Sequence, residues 1–180
     1  MAETEDAFWV FAYGSLMWAP GFPVADRIPG RLEGWHRRFS LTSPVSWGTP
    51  ECPGLCAALH EGGLCGGYGL RIAAADAPGA RCELARREAA YRFREVTVEL
   101  ADGRREAALT FVWDPGEPRF RPDLTLAQAA GIIRGAAIGR MGRAGDYLLR
   151  TVEALEAAGL DAATERELLA ELGRIRGDAD

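Results

Sequence analysis

The stretch Phe8–Trp18, FWVFAYGSLMW, is the most informative in the chain. It opens with Phe8, Trp9, Val10, Phe11 and Ala12, a continuous apolar run rich in aromatic residues. Such a run, bounded by turn residues, reads as a strand buried on both faces. Tyr13 then leads into Gly14 and Ser15, which stop it. Glycine reaches backbone angles that other residues avoid, and serine favours turns. A buried strand that ends in this way leaves consecutive backbone N–H groups without ladder partners. They can line a concave nest for an anion, or they simply end a strand; the pattern alone admits both.

Working outward, 180 residues with 48% hydrophobic content fit one globular domain, residues 1–180. A chain of this size builds a core without needing metals or disulfides. The formal net charge is -5, and all 21 basic residues are arginines. That balance argues against a nucleic-acid partner, which wants a basic face. The acidic start, MAETEDAF, is neither a signal nor a transit peptide. No apolar run approaches the roughly 18 residues of a membrane span. A cytoplasmic protein without membrane partners is the expectation; the oligomeric state is left open. Cys52, Cys56, Cys65 and Cys82, with His36 and His60, match no zinc spacing. The cysteines read as small buried thiols, and no metal or cofactor is expected.

Residues 31–43 read as extended, with Leu32, Phe39 and Leu41 in the core. Residues 55–73 read as a hairpin about Glu61-Gly62-Gly63. Residues 94–113 read as a clearer one: Val96, Val98 and Leu100 alternate, Asp102-Gly103 turns, and Ala108–Trp113 returns. Helices are expected over 79–93, Leu126–Arg140, Asp146–Ala158 and Ala163–Arg176, the third with Tyr147, Leu148, Val152 and Leu155 as its apolar stripe. Strands then helices give an α+β class. The expected architecture is a small, strongly curved antiparallel sheet or partial β-barrel with helices packed outside.

In the helix over 79–93, Glu88 projects into an arc shared by Leu84, Ala85, Ala89 and Tyr91, while Glu83, Arg86 and Arg87 point elsewhere. A carboxylate facing a core is costly unless it is paired or held neutral by a raised pKa. In a cleft it is a candidate general base. At the edge of the stripe it pairs with Arg92 or meets solvent. Geometry admits both. There is no GxSxG elbow and no Walker loop.

Six segments, in this order, carry a resemblance: FAYGSLMWAPGF (11–22), GWHRRFSLTS (34–43), GTPECPGL (48–55), RREAAY (86–91), ALTFVWD (108–114) and GDYLLRTVEAL (145–155). They resemble the γ-glutamylcyclotransferase superfamily, and within it the ChaC-like, glutathione-specific branch. The resemblance runs from Phe8 to Leu172 and implies that family's fold. It implies that the YGSL turn, here Tyr13, Gly14, Ser15 and Leu16 with Met17 and Trp18 adjoining, cradles a γ-glutamyl group mainly with backbone amides. It implies that the family's Arg-Glu pair places the catalytic carboxylate at Glu88. The implied reaction cleaves glutathione to 5-oxoproline and cysteinylglycine. Other γ-glutamyl amides, or a non-enzymatic γ-glutamyl-binding role, are the alternatives. Trp47 stands where the family's pattern has Arg. Either the change weakens recognition of an anionic substrate tail, or Arg37 or Arg38 reaches the same place and the change is harmless, or Trp47 simply packs in a surface loop. The family's Asn before Asp146-Tyr147 is also missing.

Overall fold

The computed structural model describes residues 6–89, 91–114 and 116–177. The acidic start over 1–5, and Ala90 of the expected first helix, lie outside the described residues. The chain divides into two compact units, residues 1–37 with 59–114, and residues 38–58 with 115–180.

Five strands form a closed barrel in the order β1-β3-β2-β4-β5: β1 Phe8–Ala12, β2 Asp26–Ser43, β3 Gly54–Ile72, β4 Arg92–Leu100 and β5 Arg105–Val112. The expected curved sheet is present and fully closed. Antiparallel pairing sets Val10 against Leu70 and Val96 against Ala108. At the seam β1 runs parallel to β5, with Trp9 opposite Ala108. Closure removes the unpaired edges that an open sheet exposes. β1 is buried as its composition requires: Val10, Phe11 and Ala12 have no exposure. Burying side chains such as Val10 and Phe11 contributes about 1.5–3 kcal/mol each.

Two expectations about the first unit need correction. Residues 55–73 do not form a hairpin; β3 runs unbroken for 19 residues. Gly62 and Gly63 do take positive φ, 89° and 78°, but they lie within the continuous strand and do not reverse it. β3 lies between β1 and β2 in the sheet order, and a reversal would take it out of that place. The helix expected over 79–93 is α1, Ala77–Arg87. It stops because Glu88 leaves helical geometry and Arg92 and Phe93 pair with Val112 and Phe111 of β5. The β4–β5 turn is as read: Gly103, at φ 87°, closes it with Gly103 N–H donating to Leu100 O.

The second unit holds α2 Leu126–Gly135, α3 Ala144–Ala157 and α4 Ala163–Gly177. Thr125 starts α2 with a capping box completed by Gln128. α2 ends five residues before its expected limit, where Ala136 turns extended. Ala137, Arg140 and Met141 instead donate backbone hydrogen bonds to the carbonyls of Cys52, Val45 and Ser46. The α3 stripe is as expected, with Tyr147, Leu148, Val152 and Leu155 all buried. Trp47 packs here, its ring centroid 4.8 Å from that of Tyr147. Gly48 beside it has no room for a side chain: a Cβ would lie 2.3 Å from Gly54 N.

Candidate active site

The chain leaves β1 through Tyr13 and Gly14 into a single 3₁₀ turn, Ser15–Met17. Met17 N–H donates to Gly14 O at 2.8 Å, and Ala19 N–H to Ser15 O at 2.9 Å. The first N–H groups of any helical turn have no acceptor within it. Here those belong to Ser15 and Leu16, as the sequence led us to expect of this strand end. The side chains divide differently. Tyr13, Leu16 and Met17 are buried, and the Tyr13 hydroxyl donates to Phe111 O at 2.7 Å. Gly14, Ser15 and Trp18 are half-buried. The turn therefore presents backbone and the Ser15 hydroxyl, while its larger side chains anchor it.

Glu88 stands at the end of α1, its N–H donating to Leu84 O at 2.8 Å. It is not flanked by an apolar arc, because Ala85 and Ala89 are exposed; of that arc only Leu84 is fully buried. Nor does it pair with Arg92, which forms an exposed ion pair with Asp114. The Glu88 side chain is nevertheless only 14% exposed. Desolvation raises its pKa from an ordinary 4.5 to about 7, and the positive charge of Arg87 opposes the rise. Of the two readings that the sequence leaves open, the structure has the buried carboxylate, at the C-cap of α1 and not within an apolar stripe.

Two arginines hold this region together. The Arg87 guanidinium donates to Ala19 O at 2.5 Å, Pro20 O at 2.9 Å and Ser15 Oγ at 3.0 Å. Its Nε lies 3.9 Å from Glu88 Oε1. Thus the turn and the carboxylate meet across one side chain, the one expected to point elsewhere. Buried Arg37 donates to Tyr13 O at 3.1 Å and Gly66 O at 2.8 Å, at the other end of the turn. The sequence offers no local signal for either contact, since the partners are 24 to 72 residues away. Arg38 serves the second unit, donating to Pro122 O and Leu124 O.

His36 and His60 lie on neighbouring strands with ring centroids 5.5 Å apart, and His36 Nδ1 bonds Gly62 O at 2.8 Å. All four cysteines are free thiols; Cys56 and Cys65 are buried as expected, but Cys52 and Cys82 are exposed. Among the described residues no group of three or more His, Cys, Asp or Glu is arranged to hold a metal ion. Nor is any described helix long and apolar enough to cross a membrane.

Residues 8–175 match the family model described as ChaC-like protein. The chain belongs to the ChaC-like family. Among its relatives is the glutathione-specific γ-glutamylcyclotransferase of Escherichia coli, 32% identical over 95% of this chain and 75% of the relative. A second, from Schizosaccharomyces pombe and of the same description, is 32% identical over 83% of this chain and 81% of its own length. The crystal structure of a yeast γ-glutamyl cyclotransferase specific to glutathione superposes with a TM-score of 0.86 at 22% identity, covering 94% of this chain and 96% of that one. That likeness shows that this chain shares that structure's fold.

Proposed function

We propose that this chain is a γ-glutamylcyclotransferase that cleaves glutathione to 5-oxoproline and cysteinylglycine, with Glu88 as its general base. The relatives described as glutathione-specific support the substrate. The observation that carries the mechanism is a desolvated carboxylate, tuned to about pH 7, joined by Arg87 to the YGSL turn.

The reaction suits these parts. The substrate's α-amine attacks its own γ-carbonyl carbon. A C–N bond closes the five-membered lactam, and the bond to the cysteinyl nitrogen breaks. Nucleophile and electrophile already share one molecule, so holding the attack conformer supplies much of the acceleration. The α-ammonium must first lose a proton. Glu88 accepts it, the ring nitrogen loses a second proton after the C–N bond forms, and both pass by way of Glu88 to the departing nitrogen, which leaves as the ammonium of cysteinylglycine, so no water is consumed. A base is most effective when its pKa lies near the working pH. An ordinary carboxylate near 4.5 is badly matched to an α-amine near 7.7–8.0; Glu88 at about 7 is well matched. The backbone N–H groups of Ser15 and Leu16, with the Ser15 hydroxyl, hold the γ-glutamyl carboxylate in this reading. Gly14 gives the turn its backbone path. Tyr13, Leu16 and Met17 anchor it from below, and Trp18 borders it.

Ring closure needs no metal, nucleotide or redox carrier, so the proposal includes none. It places the protein in the cytoplasm, where thiols such as Cys52 and Cys82 stay reduced. The test is purified protein with glutathione and a panel of other γ-glutamyl amides, with 5-oxoproline measured. Preferred turnover of glutathione supports the assignment. Preference for another amide would move the substrate and keep the reaction, and no 5-oxoproline from any of them would overturn both.

A further inference from the structure

We propose that Arg87 is the positioning residue of this site, holding the substrate-binding turn and Glu88 in one fixed register. The inference rests on the cyclotransferase reading of that site.

The geometry makes Arg87 unlike its neighbours on α1. Arg81 lies over the Phe8 ring at 4.2 Å, and Arg86 makes an exposed pair with Glu83 at 2.7 Å. Arg87 turns inward and is 15% exposed. One terminal nitrogen donates to the carbonyls of both Ala19 and Pro20, and the other donates to Ser15 Oγ. The planar fork thus grips the turn at its first residue and just past its last. Because Ser15 Oγ accepts from Arg87, the hydroxyl proton is left to point at a ligand. The third nitrogen faces Glu88 Oε1 at 3.9 Å, too long for a hydrogen bond and close enough for charge to be felt. Residues adjacent in the chain therefore hold the base and the strap that positions its target.

The same charge bears on protonation. Desolvation raises the Glu88 pKa, and the Arg87 charge opposes that rise. The other charged groups of this region do not lower the Glu88 pKa: Glu83 is held by Arg86 on α1 and also feels the Arg87 charge, Arg37 is held by the carbonyls of Tyr13 and Gly66, Arg92 is held by Asp114, and residues 13–20 carry no charge. Removing Arg87 leaves desolvation unopposed.

Two substitutions separate the strap from the charge. Lysine keeps the charge but replaces the rigid fork by a compact ammonium on a flexible stem. Arg87→Lys is expected to raise the KM for glutathione about tenfold with a smaller change in kcat, as loss of shared ground-state and transition-state binding requires. The acid limb of its kcat/KM profile should stay near pH 7, as in the wild type. Arg87→Met loses both, so its KM rises and its acid limb moves to higher pH. A purely structural residue would lower the amount of folded enzyme and leave the limb in place. Direct NMR titration of the Glu88 carboxyl in wild type and Arg87→Met gives the second readout, and it needs no turnover. A midpoint that rises in Arg87→Met supports the proposal even if the wild type makes no 5-oxoproline, a result that would sink only the cyclotransferase reading. If Arg87→Met fails to fold, the KM and kcat of Arg87→Lys decide. An unchanged KM in Arg87→Lys, or an unmoved Glu88 midpoint in Arg87→Met, overturns the proposal.

Discussion

Glu88→Gln should make the protein more stable while it destroys turnover, and the gain should grow with pH. Glu88 titrates near 4.5 when exposed and at about 7 in the folded chain. Between those values the folded chain keeps a proton that the unfolded chain releases. Folding is therefore favoured below pH 4.5, and that advantage is lost as the pH rises through 7. With the pKa raised from 4.5 to about 7, and about 1.36 kcal/mol for each pKa unit, the ionised carboxylate costs about 3 kcal/mol above pH 8. Exposure of 14% leaves little solvent to screen it. Glutamine has nearly the same shape as the neutral acid and never ionises. Wild type and Glu88→Gln should thus differ by about 1 kcal/mol at pH 5 and about 3 kcal/mol at pH 8, with the variant the more stable. Urea unfolding at the two pH values reads the difference directly. A difference that does not change with pH would mean that Glu88 is not desolvated, and the argument for its role as base would fall with it. Stability given up at a working carboxylate is a familiar exchange for activity.

Three further outcomes follow from the same structure. Exhaustive chelation should leave 5-oxoproline formation unchanged, since lactam closure requires no Lewis acid; loss of activity restored by Zn²⁺ or Mg²⁺ would contradict the mechanism. Trp47→Arg should lower stability by about 3 kcal/mol or more, because Trp47 is 6% exposed and its ring packs tilted against that of Tyr147, 4.8 Å between centroids. Thermal unfolding measures it, and a stable variant with a lower KM for glutathione would instead restore Trp47 to a role at the substrate's tail. Arg92→Ala should change stability by less than about 1 kcal/mol and leave turnover intact, because its partner is Asp114 at the surface and not Glu88; a large loss of activity would reopen the Glu88–Arg92 pairing.

What was legible in the sequence was local. The run Phe8–Ala12 is too apolar for anything but a strand buried on both faces, and Gly14-Ser15 ends it where the fold does. Asp102-Gly103 and the Tyr147, Leu148, Val152, Leu155 stripe were read correctly for the same reason: each is set by neighbours a few residues away. Errors arose where distant partners decide. Gly62-Gly63 suits a reversal and a continuous strand equally, and only the strands on both sides of β3 select the continuous strand. Ala89 and Tyr91 suit a helix, but Val112 and Phe111 draw Arg92 and Phe93 into β4 and stop α1 at Arg87. Glu88 stands out in the sequence for its apolar neighbours, but two of those are exposed, and the buried carboxylate sits at the C-cap of α1 instead. Arg87 was invisible as a strap because the atoms it holds lie 67 to 72 residues earlier.

The central claim is that Glu88 drives an intramolecular cyclisation. It is tested most directly by incubating glutathione with wild type and Glu88→Gln and quantifying 5-oxoproline, cysteinylglycine and free glutamate together. The account predicts equal amounts of 5-oxoproline and cysteinylglycine from the wild type, no glutamate, and a loss of ~10²–10⁴-fold in the variant. Free glutamate as the product would mean hydrolysis by water, and near-normal 5-oxoproline from Glu88→Gln would remove the carboxylate from the chemistry.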